Sequence, residues 1–111
     1  MLVVDDDPLI TRMLARVLKG HHTVRFAAGP SDALVAVEQR VPDVLLCDFL
    51  VEGGTAAELL RQVKRRWPAV RCVLHTASRP ERWAPLVAER IVDQVVPKPS
   101  SIHEILAALS A

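Results

Sequence analysis

The sequence predicts an α/β fold: an open parallel β-sheet with helices packed on both faces, in one domain spanning residues 1–111. Two observations carry this. Short apolar runs alternate five times with stretches of helical periodicity, which is the pattern of repeated βα units. The length of 111 residues suits one domain, since domains usually run to about 100–150 residues. Composition agrees: 50% of the residues are hydrophobic and 24% charged, far from the apolar-poor profile of chains that stay unfolded.

The five strand candidates are Leu2–Val4, Thr23–Ala27, Val44–Cys47, Val70–His75 and Gln94–Val96. They are nearly unbroken apolar runs, as expected of strands buried on both faces. The first helix opens with Asp7 as N-cap and Pro8 at its first position, carries Ile10, Met13, Leu14, Val17 and Leu18 on one stripe, and stops at Gly20. Ser31 is expected to cap the second, whose stripe is Leu34, Val37 and Val41 before Pro42. The third carries Leu59, Leu60, Val63 and Trp67 before Pro68. The fourth, within residues 79–91, contains Pro80 and Pro85 and is expected to be short, late-starting or kinked. The last opens with Ser101 and Glu104 in capping-box spacing and offers Ile102, Ile105, Leu106 and Leu109 to the core.

Charge excludes some functions. Lys plus Arg is 14 and Asp plus Glu is 13, so 14 − 13 gives +1, too little to draw nucleic acid or anionic lipid through a whole-domain field. No direct nucleic-acid binding and no membrane association are expected, and no apolar run approaches the ~20 residues that span a bilayer. The chain's first residues lack the charged-then-apolar pattern with a small-residue cleavage site, so no secretory leader is expected. Cys47 and Cys72, each among strand-like apolar residues, read as buried thiols of a reducing compartment, so a cytoplasmic setting is expected. His21, His22, His75 and His103 lack metal-ligand spacing and read as surface or strand fillers.

In an open parallel sheet, ligands collect outside the carboxyl ends of the strands. Those ends are unusual here. The first strand leads into Asp5, Asp6 and Asp7, the third into Asp48, the fourth into Thr76, and the fifth into Lys98 and Pro99. Asp7 is accounted for as a helix cap. Like charges at ~4 Å repel by roughly 1–4 kcal/mol per pair, so Asp5 or Asp6 beside Asp48 calls for a cation. Mg²⁺ fits that rim, because it takes oxygen ligands, keeps several waters and needs only one or two carboxylates.

These residues resemble the receiver domain of bacterial two-component response regulators, across essentially the whole chain. LVVDDDP looks like the family's acidic-pair strand, PDVLLCD its phosphoacceptor strand, Thr76–Ala77 its switch hydroxyl and Lys98–Pro99 its lysine turn. The spacings also agree, at 42 residues from Asp6 to Asp48, 28 from Asp48 to Thr76 and 22 from Thr76 to Lys98. The resemblance implies the doubly wound (βα)5 flavodoxin-like sandwich, a five-stranded sheet of order 2-1-3-4-5. It implies a phosphoacceptor switch rather than an enzyme acting on a separate substrate: Asp48 takes a phosphoryl group from a sensor histidine kinase or a histidine phosphotransfer protein, and the domain assists its own phosphorylation and dephosphorylation. Mg²⁺ would be held by Asp5, Asp6, Asp48 and the backbone carbonyl of Leu50, while Thr76 and Lys98 would bind the phosphoryl oxygens.

Departures from the family pattern shape further expectations. Val95 stands where an aromatic residue commonly turns inward, Pro97 precedes Lys98, and Ser100 replaces a common aromatic. Glu52 replaces a usual proline and precedes Gly53–Gly54, so a mobile loop with an added acid is expected after the third strand. The output surface, on the face of the fourth helix, fifth strand and fifth helix, would hold Trp83 and Val95, for a partner the sequence does not name. The chain reads as a lone receiver, stand-alone or part of a longer protein. The alternative reading is a pseudo-receiver serving as a constitutive docking module. A phosphohydrolase using Asp48 ranks last, because Leu50 cannot act as the general acid two residues after the nucleophile.

Overall fold

The computed structural model describes residues 1–20, 23–51 and 54–110. His21, His22, Glu52 and Gly53, on which expectations were placed above, lie outside the described residues, as does Ala111. The elements run β1 (Leu2–Val4), α1 (Pro8–Leu18), β2 (Arg25–Ala27), α2 (Pro30–Gln39), β3 (Val44–Cys47), β4 (Leu50–Val51), β5 (Gly54–Thr55), α3 (Ala57–Arg66), β6 (Arg71–Thr76), α4 (Pro80–Ala88), β7 (Gln94–Pro97) and α5 (Ile102–Ser110).

The main sheet is parallel with order β2-β1-β3-β6-β7. Counting its five strands alone, this is the expected 2-1-3-4-5 flavodoxin-like arrangement. Alternation along each strand divides the core in two. Leu2, Val4, Leu45, Cys47, Cys72 and Leu74 face α2, α3 and α4 through Val37, Leu60 and Leu86. Val3, Leu46 and Val73 face α1 and α5 through Leu14, Leu18, Ile105 and Leu109. Period-two strands between two helical layers thus explain why the apolar runs are unbroken.

Helix boundaries follow local chemistry, with corrections. Asp7 caps α1, its side chain accepting from the Leu9 amide at 2.9 Å, and Gly20 follows the helix at a φ of +88°. Met13 is exposed, so the buried stripe of α1 is Leu14 and Leu18. Helix α2 is capped by Gly29, not Ser31, because Pro30 supplies the preset φ of a first helical residue and moves the start two residues earlier. Its buried residues are Ala33 and Val37, while Val41 lies past the helix and is exposed. Trp67 ends α3 half-buried under the Arg66 guanidinium, 4.3 Å from the ring centroid.

Helix α4 does not start late. It begins at Pro80 and keeps Pro85 within its nine residues. The first turn has no intrahelical acceptors for its amides, so Pro80 loses nothing there and Pro85 removes one bond. Its end is a Schellman motif: the Arg90 amide bonds the Val87 carbonyl, the Ile91 amide bonds the Leu86 carbonyl at 2.9 Å, and Arg90 takes a φ of 61°. Helix α5 has the expected capping box, with the Ser101 hydroxyl accepting from the Glu104 amide and Glu104 accepting from the Ser101 amide. Its buried face is Ile105, Ala108 and Leu109.

Four strand edges shift by one or two residues. Thr23 and Val24 fall outside β2, because β1 begins at Leu2, which registers with Arg25; ahead of that pair the Met1 ammonium donates to the Thr23 carbonyl at 2.8 Å. Strand β6 runs Arg71–Thr76 and β7 extends to Pro97, Thr76 and Pro97 being register partners. After β3, Leu50–Val51 pairs antiparallel with Gly54–Thr55, a short two-stranded element where a loop is expected from the sequence.

Candidate functional site

Main-chain bonds carry the sheet one residue past its strands and set the level of the rim. The Asp5 amide bonds the Ala27 carbonyl, the Asp48 amide the Val4 carbonyl at 2.9 Å, and the Lys98 amide the Thr76 carbonyl at 2.8 Å. Asp5, Asp48, Thr76 and Lys98 therefore emerge at one edge, although Asp5 and Lys98 are 93 residues apart.

The Lys98 ammonium joins the two acids. It donates to Asp5 Oδ2 at 2.9 Å and to Asp48 Oδ2 at 3.0 Å. Asp5 is buried and its other oxygen accepts from the Asp7 amide at 2.9 Å, so both oxygens are engaged. Burial by itself lowers the Lys98 pKa; the hydrogen bonds and charges of Asp5 and Asp48 outweigh it and hold the ammonium above the ordinary lysine value. The cation that the strand ends required is, in this structure, Lys98 itself. Asp6 is exposed at the rim, and the acid against Asp48 is Asp5.

A cleft of about 380 Å³ opens beside this pair, lined by Asp48, Leu50, Thr76, Lys98, Arg79 and Arg82 among others. Thr76 is 2% exposed, and its hydroxyl oxygen accepts from the Ser78 amide at 3.1 Å, which leaves its proton free to donate into the cleft. Leu50 is 43% exposed at the start of β4. Trp83 is half-buried against the α2–α4 side of the core, and its indole nitrogen donates to the Ser78 carbonyl at 3.1 Å. Val95 packs half-buried on the same side.

The donor set suits a hard divalent ion. Asp5, Asp48 and the exposed Asp6 offer oxygen ligands alone, and among the described residues no three His, Cys, Asp or Glu side chains form a closed metal cluster. An ion that retains waters and uses one or two carboxylates matches that supply; a zinc-like cage does not.

Two features escaped the sequence reading. Arg79 and Arg82 line the cleft; their three-residue spacing at the start of the helix after the Thr76 strand was the available signal. His75 is 3% exposed, on the α1–α5 side of the sheet. Its Nε2 lies 3.1 Å from the Ser100 hydroxyl and its Nδ1 has no partner. Burial first, then the Lys98 charge, push its pKa below the ordinary histidine value, against the opposing pull of Asp5 and Asp48. Cys47 and Cys72 are buried free thiols, and burial raises the first well above the usual range and the second to about 11. No described helix is long and apolar enough to cross a membrane.

Residues 1–110 match the family model of the response regulator receiver domain. The chain is 33% identical over 106 residues to the DNA-binding transcriptional regulator NtrC of Salmonella typhimurium, covering 95% of this chain and 23% of that protein. It is 35% identical over 112 residues to the DNA-binding response regulator MtrA of Mycolicibacterium smegmatis, covering 100% of this chain and 49% of that one. The chain thus spans about a quarter to about a half of the length of these relatives. A CheY-like response regulator receiver domain protein from Methanospirillum hungatei superposes with a TM-score of 0.89 at 21% identity, covering 96% of this chain and 86% of that one, a likeness of fold.

Proposed function

The chain belongs to the response regulator receiver domain family, whose members are phosphoacceptor signalling switches, and we propose that here Asp48 is the phosphoacceptor. The carrying observation is the Lys98 ammonium bonded to both Asp5 and Asp48 beside a cleft that the buried Thr76 lines. The donor is a phosphohistidine on a sensor histidine kinase or phosphotransfer protein. An Asp48 carboxylate oxygen attacks the phosphorus and a P–O bond forms. The P–N bond breaks, its electron pair goes to the imidazole nitrogen, and that nitrogen takes a proton from solvent.

Phosphoryl transfer depends mainly on positioning and charge neutralisation. Lys98 holds Asp48 in place and balances charge gathering on the phosphoryl oxygens. The Thr76 hydroxyl donates to a phosphoryl oxygen once the group is in place. Asp5 fixes Lys98 and, with Asp6, Asp48 and the Leu50 carbonyl, would hold Mg²⁺, which when bound neutralises the same oxygens. The bond between Trp83 and Ser78 ties α4 to the loop after Thr76, supporting an output surface on α4, β7 and α5 in which Val95 replaces an aromatic relay. A cytoplasmic setting follows from the kinase partnership.

The test is intact mass after incubation with acetyl phosphate and Mg²⁺. One added phosphoryl group is expected, and Asp48→Asn is expected to abolish it. An unmodified wild-type chain, under conditions that label another receiver, refutes the assignment and returns the domain to a docking role.

A further inference from the structure

The charge around the cleft is lopsided. Its lining holds one acid, Asp48, and three bases, Lys98, Arg79 and Arg82, so 3 − 1 leaves an excess of two positive charges. Lys98 is already committed to Asp5 and Asp48. The two guanidiniums are not: among the described residues neither Arg79 nor Arg82 takes part in a salt bridge. Both sit at the entry to α4, Arg79 as the residue before it and Arg82 in its first turn. Arg82 is also placed from beneath, with its guanidinium carbon 5.8 Å from the ring centroid of Phe49, the buried neighbour of Asp48. An exposed arginine without an ion pair is ordinarily a solvated chain end; here two line the cleft that holds the acceptor carboxylate.

We propose that Arg79 and Arg82 bind the phosphoryl group on Asp48 and couple its arrival to α4. The proposal rests on Asp48 being the phosphoacceptor. Phosphorylation replaces one carboxylate charge by a group carrying about two negative charges and three acceptor oxygens, more than the already shared Lys98 neutralises. A guanidinium presents planar paired donors that match phosphate oxygens. Because Arg79 is the N-cap of α4 and Arg82 lies in its first turn, their grip bears on the helix that Trp83 links to the Thr76 loop. This supplies a direct path from phosphate to output face in a chain that has Val95 where an aromatic residue would relay the change.

The experiment is titration of the folded chain with beryllofluoride in saturating Mg²⁺, followed by calorimetry, beside titration with Mg²⁺ alone. Arg79→Gln/Arg82→Gln is expected to weaken beryllofluoride binding by about 10- to 100-fold while Mg²⁺ affinity holds or tightens, since two repelling cations are gone. Lysine at both positions is expected to recover part of the loss, as point charges without the paired donors. Wild-type beryllofluoride affinity in the glutamine double variant, with binding still abolished by Asp48→Asn, overturns the arginine grip and leaves the phosphoacceptor standing. Absence of beryllofluoride binding in the wild type, or its persistence in Asp48→Asn, overturns the phosphoacceptor reading and the grip with it.

Discussion

Removing the Lys98 ammonium strands two carboxylates, and the size of that effect can be worked from the structure. Lys98→Met keeps an apolar stem of similar length and deletes the contacts of 2.9 and 3.0 Å to Asp5 and Asp48. Hydrogen bonds to charged groups contribute about 1.5–3 kcal/mol each, and breaking a buried pair costs about 3–5 kcal/mol. The two ends differ. The Asp5 side chain is 3% exposed and gains almost no water, whereas the Asp48 side chain is 15% exposed and recovers some, which keeps its share near the lower bound. The expected loss is therefore about 3–4 kcal/mol at neutral pH without divalent ions, or roughly 10–15 °C in Tm for a domain near this size. Urea unfolding followed by circular dichroism measures it. Repeating the substitution in an Asp48→Asn background, where one stranded charge is gone, is expected to reduce the loss by about 1–2 kcal/mol. The alkaline limb gives a further check. A lysine whose folded pKa is raised contributes stability that is fully present below its ordinary value of 10.5 and lost as pH rises through the higher folded value. The gap between wild type and Lys98→Met is thus expected to stay constant up to that range and close above it. A loss under about 1 kcal/mol, or a loss unchanged in the Asp48→Asn background, refutes the idea that the ammonium joins the two acids.

Two other expectations concern stability away from the acids. With the His75 pKa lowered below 6.5, first by burial, the unfolded chain binds the proton more readily, so stability is expected to fall as pH drops through 6.5 and to recover above it; His75→Gln is expected to flatten that part of the profile, and identical slopes in the two proteins would contradict the burial of a neutral ring. Arg90→Gly places the residue best suited to the left-handed C′ position where φ is 61°, and a gain of about 0.5–1 kcal/mol in urea unfolding is expected, a destabilised variant counting against the Schellman ending.

How much of this was legible in the sequence depended on whether the cause was local. The βα alternation, the Asp7–Pro8 start of α1 and the Ser101–Glu104 box are set by residues within a few positions of one another, where chirality, capping and proline geometry act directly, and the structure contains all three. The rim was legible for a related reason. In a parallel sheet every strand ends on the same side, so Asp5, Asp48, Thr76 and Lys98 had to share an edge once the strands were identified.

What the tertiary structure decided are matters of direction and distance. Neighbouring residues at a strand end point opposite ways, so the sequence offered Asp5 and Asp6 alike; sheet register buries Asp5 against Lys98 and leaves Asp6 in solvent. The same register removed Thr23 and Val24 from β2 for want of partners in β1. Likewise the pairing of Leu50–Val51 with Gly54–Thr55 is too short for periodicity to mark. Arg79 and Arg82 were visible as residues, but their place at the cleft depends on where α4 lands on the sheet. That position comes from the packing of Leu86, Trp83 and Ile91 into the core, a sum of many weak, long-range contacts that no local pattern encodes.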